Sequence, residues 1–468
     1  MTNRRSSAPW RSAIVAWCAA IALGGALAGM RLAGSRDSAI DAAGEPTSSS
    51  EGRRGPRPVF AGSRAIPVDR VDRIALSRHG ATLEFAKRAD GWMQTRPFEQ
   101  PADGAQIREM LVRLADLRFV REAAADSATL AGLGLEPASA ALTVGFGDET
   151  VTLRIGRRGV GGRGWARVDM GPALAVDPAI HESILEADPR RWRSWRLFDR
   201  VGAGTQRVVV VRSPISADRP AQRIEIVRDG GRWRLVSPVA TRADSRAVDA
   251  LLAALARAEH SGFVDDAPKD DALYGLEHAI ASVETVGADA SSERVEIGAG
   301  LVKGGALCAR RSDRPSIVLL DPMALAALLP PAEALIDARA CEIDPTDART
   351  LRVLEPDGRL RLTLSRSLDG WTLELPGGES TPARADVVSS LLERLVSARA
   401  QALAIQPMPE ELRVADIEIV PSVGGPVTVR VARERNEGNW ALDESDDVLR
   451  VFPPGFDPPL DAARFRSR

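Results

Sequence analysis

The sequence predicts an α+β protein made of three tandem repeats of a small antiparallel-sheet-plus-helix domain, placed after one N-terminal transmembrane helix. Two observations lead to this fold class. First, a block of sequence that begins near Trp92 returns around Trp233 and, less closely, around Trp371, at intervals of 141 and 138 residues. Second, each block combines short alternating apolar runs, typical of strands, with one apolar pattern of helical period. A repeat of this length suits a whole small domain and is too long for a solenoid unit.

The first two copies share their main features at nearly equal positions. Asp103 and Asp244 each lie 11 residues after their tryptophan, where a carboxylate can cap a helix by accepting a first-turn N–H. The apolar residues that follow have i, i+3, i+4, i+7 spacing, which is one face of an amphipathic helix. The third copy is less regular, because its helix is displaced and it lacks a Gly-Leu pair. The predicted structural anchors of the repeats are Trp92, Asp103, Gly134, Gly156, Trp233, Asp244, Gly275, Gly298 and Trp371.

Composition is that of a globular protein, with 44% hydrophobic and 27% charged residues in 468. The formal net charge of −2 gives no overall field that favours nucleic acid, so we expect no nucleic-acid partner. Cys308 and Cys341 are too few for a disulfide framework. They could form a single bridge in an exported body, or they could be separate buried thiols that pack as small apolar residues.

The N-terminal region predicts attachment to a membrane. Residues 13–30 contain no charge, and at about 1.5 Å per residue they span about 27 Å, just enough for one bilayer crossing. Arginines precede this segment, so residues 1–12 should stay in the cytoplasm and the rest should be exported. A cleaved signal peptide is the alternative, because Ala26-Leu27-Ala28 resembles a cleavage site. We therefore expect a single-pass protein of the inner (cytoplasmic) membrane, with most of its chain outside the cytoplasm.

The rest of the chain divides into a linker, three domains and a tail. The linker at 31–66 is rich in Ser, Gly, Arg and Pro, and a segment with so few apolar residues is expected to be a disordered tether. The repeat domains are predicted at 67–200, 201–346 and 347–460, with the last one divergent. Residues 461–468 form the tail.

Three features deserve a functional and a structural interpretation side by side. Gly159–Gly164 matches G-x-G-x-x-G, but WARVDM follows with strand character where a dinucleotide site needs a helix, so we expect a glycine-rich hairpin loop. The repeated tryptophans are expected to fill the core, with ligand stacking as the alternative. The segment RRWRSWR at 190–196 predicts a solvated linker helix with both tryptophans packed inward, and a patch for anionic partners is the alternative.

No reactive constellation stands out in the sequence. The four histidines occupy unrelated positions, and no paired Cys/His spacing typical of a metal site occurs. No nucleophile elbow of the G-x-S-x-G type is present either. We therefore expect no catalytic, cofactor-binding or metal-binding residues.

The order of these motifs resembles the domain-of-unknown-function 4340 (DUF4340) family. The motifs are a short hairpin, Gly-x-Trp or Gly-Trp, Pro, Ala-Asp before a helix, Gly-Leu, Ile-Gly and Asp-Pro. The resemblance covers about 67–345 well and 347–460 weakly. It implies a bacterial protein with an N-terminal membrane anchor and a β-rich periplasmic body. Members of the family often accompany ABC-type exporters and resemble gliding-motility-associated auxiliary proteins.

Two functional classes remain open from the sequence. The first is a non-enzymatic, membrane-tethered periplasmic auxiliary or scaffold protein, attached to the membrane through 13–30 and associated with ABC-transporter subunits or another envelope machine. The second is a periplasmic binding module for a small molecule or glycan, held in a groove between domains, where pockets tend to form.

Overall fold

The computed structural model describes residues 55–62, 65–159, 162–214, 220–300, 306–435 and 437–467. The predicted membrane segment 13–30, the preceding residues 1–12 and most of the linker 31–66 lie outside these ranges. Within them, none of the helices has the length and apolar character needed to cross a bilayer. All three sheets belong to one compact unit, Pro56–Arg468.

The described residues form three antiparallel sheets, and we call each sheet with its helices a domain. Domain 1 contains ten strands and three helices. They are β1 (Arg57–Pro58), β2 (Arg73–Arg78), β3 (Ala81–Arg88), β4 (Gly91–Arg96), β5 (Gln100–Pro101), α1 (Gly104–Ala115), β6 (Arg118–Ala123), α2 (Ser127–Gly132), β7 (Ala140–Phe146), β8 (Glu149–Arg158), β9 (Gly164–Val168), β10 (Ala173–Val176) and α3 (Ala179–His181).

Domain 2 contains nine strands and two helices. They are β11 (Thr205–Arg212), β12 (Gln222–Asp229), β13 (Arg232–Ser237), β14 (Thr241–Arg242), α4 (Ser245–Ala256), β15 (Gly262–Asp265), β16 (Ala281–Gly287), β17 (Ser292–Gly298), β18 (Leu307–Arg311), β19 (Ile317–Leu320) and α5 (Leu325–Leu328).

Domain 3 repeats this content. Its elements are β20 (Ala348–Leu354), β21 (Leu360–Ser367), β22 (Gly370–Glu374), β23 (Ser380–Pro382), α6 (Ala385–Ser397), β24 (Ala402–Ile405), β25 (Arg413–Pro421), β26 (Val427–Arg433), β27 (Trp440–Asp443), β28 (Val448–Phe452) and α7 (Ala462–Phe465).

The three sheets have the same strand order. Domain 2 reads β14-β13-β12-β11-β16-β17-β18-β19-β15, and domain 3 has the equivalent order from β23 to β24. Domain 1 has it too, with β1 added beyond β6. The prediction of a sheet-rich α+β fold is therefore confirmed, and the three sheets fit the predicted tandem repeats.

The long helix of each domain packs on its sheet through the apolar face that the sequence predicts. In domain 1 this face is Ile107, Met110, Leu111 and Leu114, all buried. The Asp103 carboxylate accepts from the N–H groups of Ala105 (2.9 Å) and Gln106 (3.2 Å), and Asp244 caps α4 in the same way. In domain 3 Arg384 occupies the cap position and makes no such bond. The carboxylate caps are therefore a feature of the first two copies.

The paired glycines of the first two copies interlock. Gly275 has a left-handed backbone (φ 67°) and lies against Gly298, where an added Cβ would overlap the carbonyl oxygen of Tyr274. Gly134 and Gly156 repeat this arrangement in domain 1, where the overlap would be with the carbonyl of Leu133. Domains 1 and 2 thus each contain one close backbone approach, formed by two of these four anchors.

The glycine-rich loop after β8 leads into strand β9 and not into a helix, as predicted. Gly159 N–H donates to the carbonyl of Arg163 at 2.7 Å, which closes the hairpin. The loop after β17 likewise leads into a strand, β18. Neither loop therefore has the strand-to-helix context of a dinucleotide site.

Substituting Gly298→Ala should destabilise the protein by about 1–3 kcal/mol, because the new methyl group overlaps backbone atoms that have no room to move. The measurement is the shift of the urea unfolding midpoint of the full chain. Gly202→Ala is the matched control, since nothing lies within 4 Å of its added Cβ. Equal midpoints for the two variants would contradict this reading of the glycine pairs.

Candidate functional site

Two joints between domains contain buried charged side chains, among them Arg193, Asp337 and Arg450. Each domain continues into the next through an extended segment, residues 193–198 (linker 1) and 336–341 (linker 2). Both segments follow a short 3-10 helix, Pro189–Trp192 before linker 1 and Ala332–Leu335 before linker 2. The joints are therefore built from the same elements in the same order.

Each linker pairs first with the domain that it leaves. Asp103 N–H donates to the Trp192 carbonyl at 2.8 Å, and Asp244 N–H donates to the Leu335 carbonyl at 2.8 Å. A β-bridge follows in each case, from Ala102 to Arg193 and from Ala243 to Ile336. The start of the linker is thus held at the N-terminus of the long helix of the preceding domain.

The second half of each linker pairs with the domain that it enters. Leu197 N–H donates to the carbonyl of Ala258 at 2.9 Å, and His260 N–H donates to that of Trp195 at 3.0 Å. In linker 2, Ala400 N–H donates to the carbonyl of Ala338 at 2.9 Å. On the domain side, the residues that make these bonds are Ala258, His260 and Ala400, and all three lie just after the long helix. One short strand therefore connects helix ends of two successive domains.

The expectation of a solvated linker helix at 190–196 is wrong beyond Trp192. Only Pro189–Trp192 is helical, and the residues after it are extended because they pair with both neighbouring domains. Trp192 is 1% exposed, as its inward packing required, but Arg193 is also buried, at 3%.

Arg193 is the centre of joint 1. Its guanidinium lies between the rings of Phe98 in domain 1 (4.9 Å to the centroid) and Phe263 in domain 2 (5.2 Å). It also pairs with Asp266 of domain 2 at 2.5 Å. A buried cation is tolerated only when it is paired, and here aromatic faces and a carboxylate both contribute. Arg193 therefore couples the two domains through three contacts.

His260 adds a titratable group to joint 1. Its ring stacks on Trp195 with centroids 5.0 Å apart and meets the edge of Phe263 at 4.4 Å. Burial lowers the pKa of His260 to about 4, because the charged imidazolium would lose its hydration there. The ring is therefore neutral at physiological pH and packs as an aromatic residue.

In joint 2 the buried arginine comes from the domain that the linker enters, and not from the linker itself. Arg450 on β28 is fully buried and donates to the Asp446 carboxylate at 2.7 and 2.9 Å. It also reaches domain 2, donating to Thr241 Oγ1 at 3.1 Å and to the carbonyl of Asp337 in the linker region at 3.1 Å. The position equivalent to Arg193 is the apolar Ile336. The two joints therefore have the same backbone pairing, but the buried arginine comes from the linker in joint 1 and from domain 3 in joint 2.

A second arginine and a shared core complete joint 2. Arg242 of domain 2 pairs with Asp337 at 3.1 Å and with Glu444 of domain 3 at 2.9 Å. Val448 of domain 3 belongs to the apolar core of domain 2. Domains 2 and 3 are thus connected both by ion pairs and by apolar side chains that pack together.

Two carboxyl groups of joint 2 have raised pKa values. Asp443 is fully buried on β27 and accepts the N–H of Asp446 at 2.9 Å. Burial, reinforced by the nearby Asp446 carboxyl, raises the pKa of Asp443 to about 6. Burial also raises the pKa of Glu444. These two carboxyl groups therefore bind protons more readily than exposed carboxylates do, whereas hydrogen bonds and ion pairs with arginines lower the pKa values of Asp337 and Asp446.

An open groove lies beside each joint. Groove 1, of about 770 Å³, is bordered by Trp92, Asp103, Trp195 and Arg200. Groove 2, of about 760 Å³, is bordered by Trp233, Asp244, Arg339 and Arg399. Both begin at the repeated tryptophan and the helix cap, so the repeat places two equivalent grooves along the chain.

The predicted anchors divide between the grooves and the domain interiors. Trp92 and Asp103 meet in groove 1, and Trp233 and Asp244 meet in groove 2. Trp371 lies in the core of domain 3 at 8% exposure. Cys308 and Cys341 are free, buried thiols, so the two do not form a bridge. In the part of the chain that the structure describes, no cluster of His, Cys, Asp or Glu could hold a metal ion.

The sequence pointed to 190–196 as a linker but not to its extended, buried conformation or to linker 2, although one further signal was present. Arg191-Trp192-Arg193-Ser194 returns as Arg464-Phe465-Arg466-Ser467. The second copy binds domain 3 as linker 1 binds domain 1, since Arg384 N–H donates to the carbonyl of Phe465 at 2.8 Å. A search for this four-residue repeat would have located the start of linker 1.

Comparison with known proteins gives one match. A family model described as Domain of unknown function (DUF4340) matches residues 69–232 and 233–416. The division between these two regions falls within β13, beside Trp233, and not at a linker. No curated protein and no solved structure matches the chain.

Replacing Asp443 with asparagine should remove a gain in stability that the wild type makes on acidification. Because its pKa of about 6 lies above the ordinary value near 4, the folded state holds a proton that the unfolded state releases. This contribution is fully present below about pH 4 and is lost as the pH rises through 6. Between pH 7 and pH 5 it amounts to about 1 kcal/mol.

The measurement is urea unfolding of wild type and Asp443→Asn at pH 7 and pH 5. The comparison must be between variants, because the lowered pKa of His260 acts with the opposite sign over the same interval. We expect the stability difference, wild type minus variant, to be larger at pH 5. The same difference at both pH values would contradict the assignment.

Proposed function

The chain belongs to the DUF4340 family, and we propose that it is a non-enzymatic, membrane-tethered scaffold that serves an ABC-type transport or envelope machine as an auxiliary subunit. In this proposal residues 13–30 anchor it in the inner membrane. The part of the linker 31–66 that precedes β1 (Arg57–Pro58) holds the three domains off the membrane on the periplasmic side. Its partners are the membrane and ABC-transporter subunits, and its net charge of −2 does not favour nucleic acid.

The observation that supports this proposal is the construction of the two joints. Each linker is hydrogen-bonded on both sides, and each joint contains a buried, paired arginine. Opening joint 1 would separate the buried Arg193 from Asp266, and removing one partner of such a pair typically costs about 3–5 kcal/mol. Opening joint 2 would break the hydrogen bonds from Arg450 to Thr241 and to the Asp337 carbonyl. A hinged enzyme needs a few residues that absorb a change of backbone angles, whereas these linkers have their backbone groups engaged. Domains held in this way present fixed surfaces to a partner, as a scaffold requires.

A second candidate function is a binding module for a small molecule or glycan in an inter-domain groove. The two grooves, of about 770 and 760 Å³, fall within the usual size of ligand sites, about 300–1,000 Å³. Their borders are rich in charged groups and carry few apolar ones, which suits a polar ligand. A thermal-shift screen with envelope sugars, peptides and metabolites tests this candidate, and stabilisation by one of them would favour it over the scaffold.

Tagged full-length protein, extracted in mild detergent and purified, should bring ABC-transporter subunits with it, identified by mass spectrometry. Arg450→Met should reduce their recovery several-fold, because it removes the hydrogen bonds from Arg450 to Thr241 and to the Asp337 carbonyl and leaves the Asp446 carboxylate buried without its arginine. Arg349→Met, at an exposed position of domain 3, is the matched control and should have no effect.

Two outcomes would count against the scaffold. An eluate without any transporter or envelope subunit would remove its partner. Full recovery with Arg450→Met, in a variant shown by hydrogen exchange to have an open joint 2, would show that fixed domain geometry is not needed.

A further inference from the structure

The three repeated tryptophans differ in what covers the indole face. Each faces a basic residue on the neighbouring strand: Trp92 faces Lys87, Trp233 faces Arg228 and Trp371 faces Arg366. The two arginines lie over their rings, at 5.5 Å for Trp233 and 6.0 Å for Trp371. Trp440 repeats the arrangement with Arg433 at 5.0 Å. A guanidinium over the indole is therefore the rule where the cross-strand partner is arginine.

Trp92 is the exception because its partner is a lysine. The Lys87 ammonium turns away and donates to the carbonyl of Asp69 at 3.4 Å. Within the described ranges no cation lies over the Trp92 ring, and its side chain is only partly buried, whereas Trp233 and Trp371 are 5% and 8% exposed. The partly buried indole of Trp92 borders groove 1. An aromatic face of this kind attracts cations through the ring quadrupole, and indole attracts them best.

The charge of groove 1 also favours a cation. Six carboxylates border the groove against four guanidiniums. Two of those guanidiniums, Arg311 and Arg314, are only 6% and 10% exposed and are paired with Asp199 and Asp313. The remaining groups are four carboxylates and the exposed Arg196 and Arg200. Asp90, two residues from Trp92, and Glu259 on the opposite domain are exposed and make no ion pair among the described residues. A cation over Trp92 would therefore find free carboxylates on both sides of the groove.

We propose that groove 1 binds an arginine side chain from an extended basic segment of a partner protein, with the guanidinium stacked over Trp92. The partner's arginine takes the place that Arg228 and Arg366 occupy in the other repeats. Arginine fits better than lysine, because its planar guanidinium stacks on a ring and still donates sideways to carboxylates such as Asp90 and Glu259. This inference rests on the scaffold function, for which it supplies a docking contact.

The test uses full-length protein in mild-detergent micelles, labelled with 5-fluorotryptophan and observed by fluorine NMR. Trp92→Phe assigns the Trp92 resonance. The probes are the capped hexapeptide GGRGRG and its acidic counterpart GGEGEG. We expect the arginine peptide to shift the Trp92 resonance in a saturable way and the glutamate peptide to leave it unchanged.

Lys87→Arg provides the decisive variant. It recreates in domain 1 the arginine–tryptophan pair of the other domains, so it should move the Trp92 resonance by itself and weaken the arginine peptide about five- to tenfold. Lys269→Arg, the same change at an exposed position away from groove 1, is the matched control and should leave the affinity unchanged.

Three results would overturn the proposal. The first is a Trp92 resonance that the arginine peptide does not shift. The second is an affinity for that peptide that Lys87→Arg does not change. The third is a Trp92 resonance that shifts with a neutral oligosaccharide such as chitohexaose but not with the arginine peptide. A transporter subunit that is still recovered with Lys87→Arg would refute this docking contact and leave the scaffold function standing. Loss of the subunit only with Arg450→Met would separate the two in the same way.

Discussion

The arrangement of the domains depends on the hydrogen bonds of two short linker strands. A linker that paired with only one domain would let the next domain swing, because a few free backbone angles suffice for a hinge. Here the carbonyl before each linker accepts from the residue that caps the preceding helix, and the following residues exchange bonds with the segment after the next helix. The same residues therefore end one domain and begin another. This is why the caps Asp103 and Asp244 lie at the joints as well as at the helix starts.

The two joints have the same backbone pairing but different buried arginines. Each arginine therefore requires different residues of the neighbouring domain. Arg193 belongs to the linker and needs Phe263 and Asp266 of domain 2, whereas Arg450 belongs to domain 3 and needs Thr241 and the linker carbonyl of Asp337. Exchanging one domain for another would leave a buried charge without its partner, which is costly. Acid also acts in opposite directions on one buried group of each joint, His260 and Asp443. A fall in pH destabilises the folded protein through His260 of joint 1, which is buried in its neutral form. The same fall stabilises it through Asp443 of joint 2, whose buried carboxyl group takes up a proton more readily than it does in the unfolded chain.

Local patterns were enough to predict the sheet-rich α+β class and the long helix of each domain. The spacing from Trp92 to Asp103 and the apolar face beyond it predicted helix α1, and the turn residues and alternating runs predicted the strands. Gly156 and Gly298 were recognised as anchors from their recurrence, although the reason, a backbone approach too close for a Cβ, became visible only in the structure. The joints were not predictable in this way. Arg193 and Asp266, or Thr241 and Arg450, are far apart in sequence, and charged residues ordinarily indicate a solvated surface.

We infer that the linkers are as firmly structured as the sheets that they connect, and native-state hydrogen exchange tests this inference. Peptides that cover 193–198 and 336–341 can be followed by mass spectrometry in the full-length protein, beside peptides from the central strands β11 and β20. We expect the linker amides to exchange on the slow timescale of those strands, because the linkers are hydrogen-bonded to both domains. Exchange of the linkers within seconds, while β11 and β20 stay protected, would mean that the domains move independently and would contradict the account.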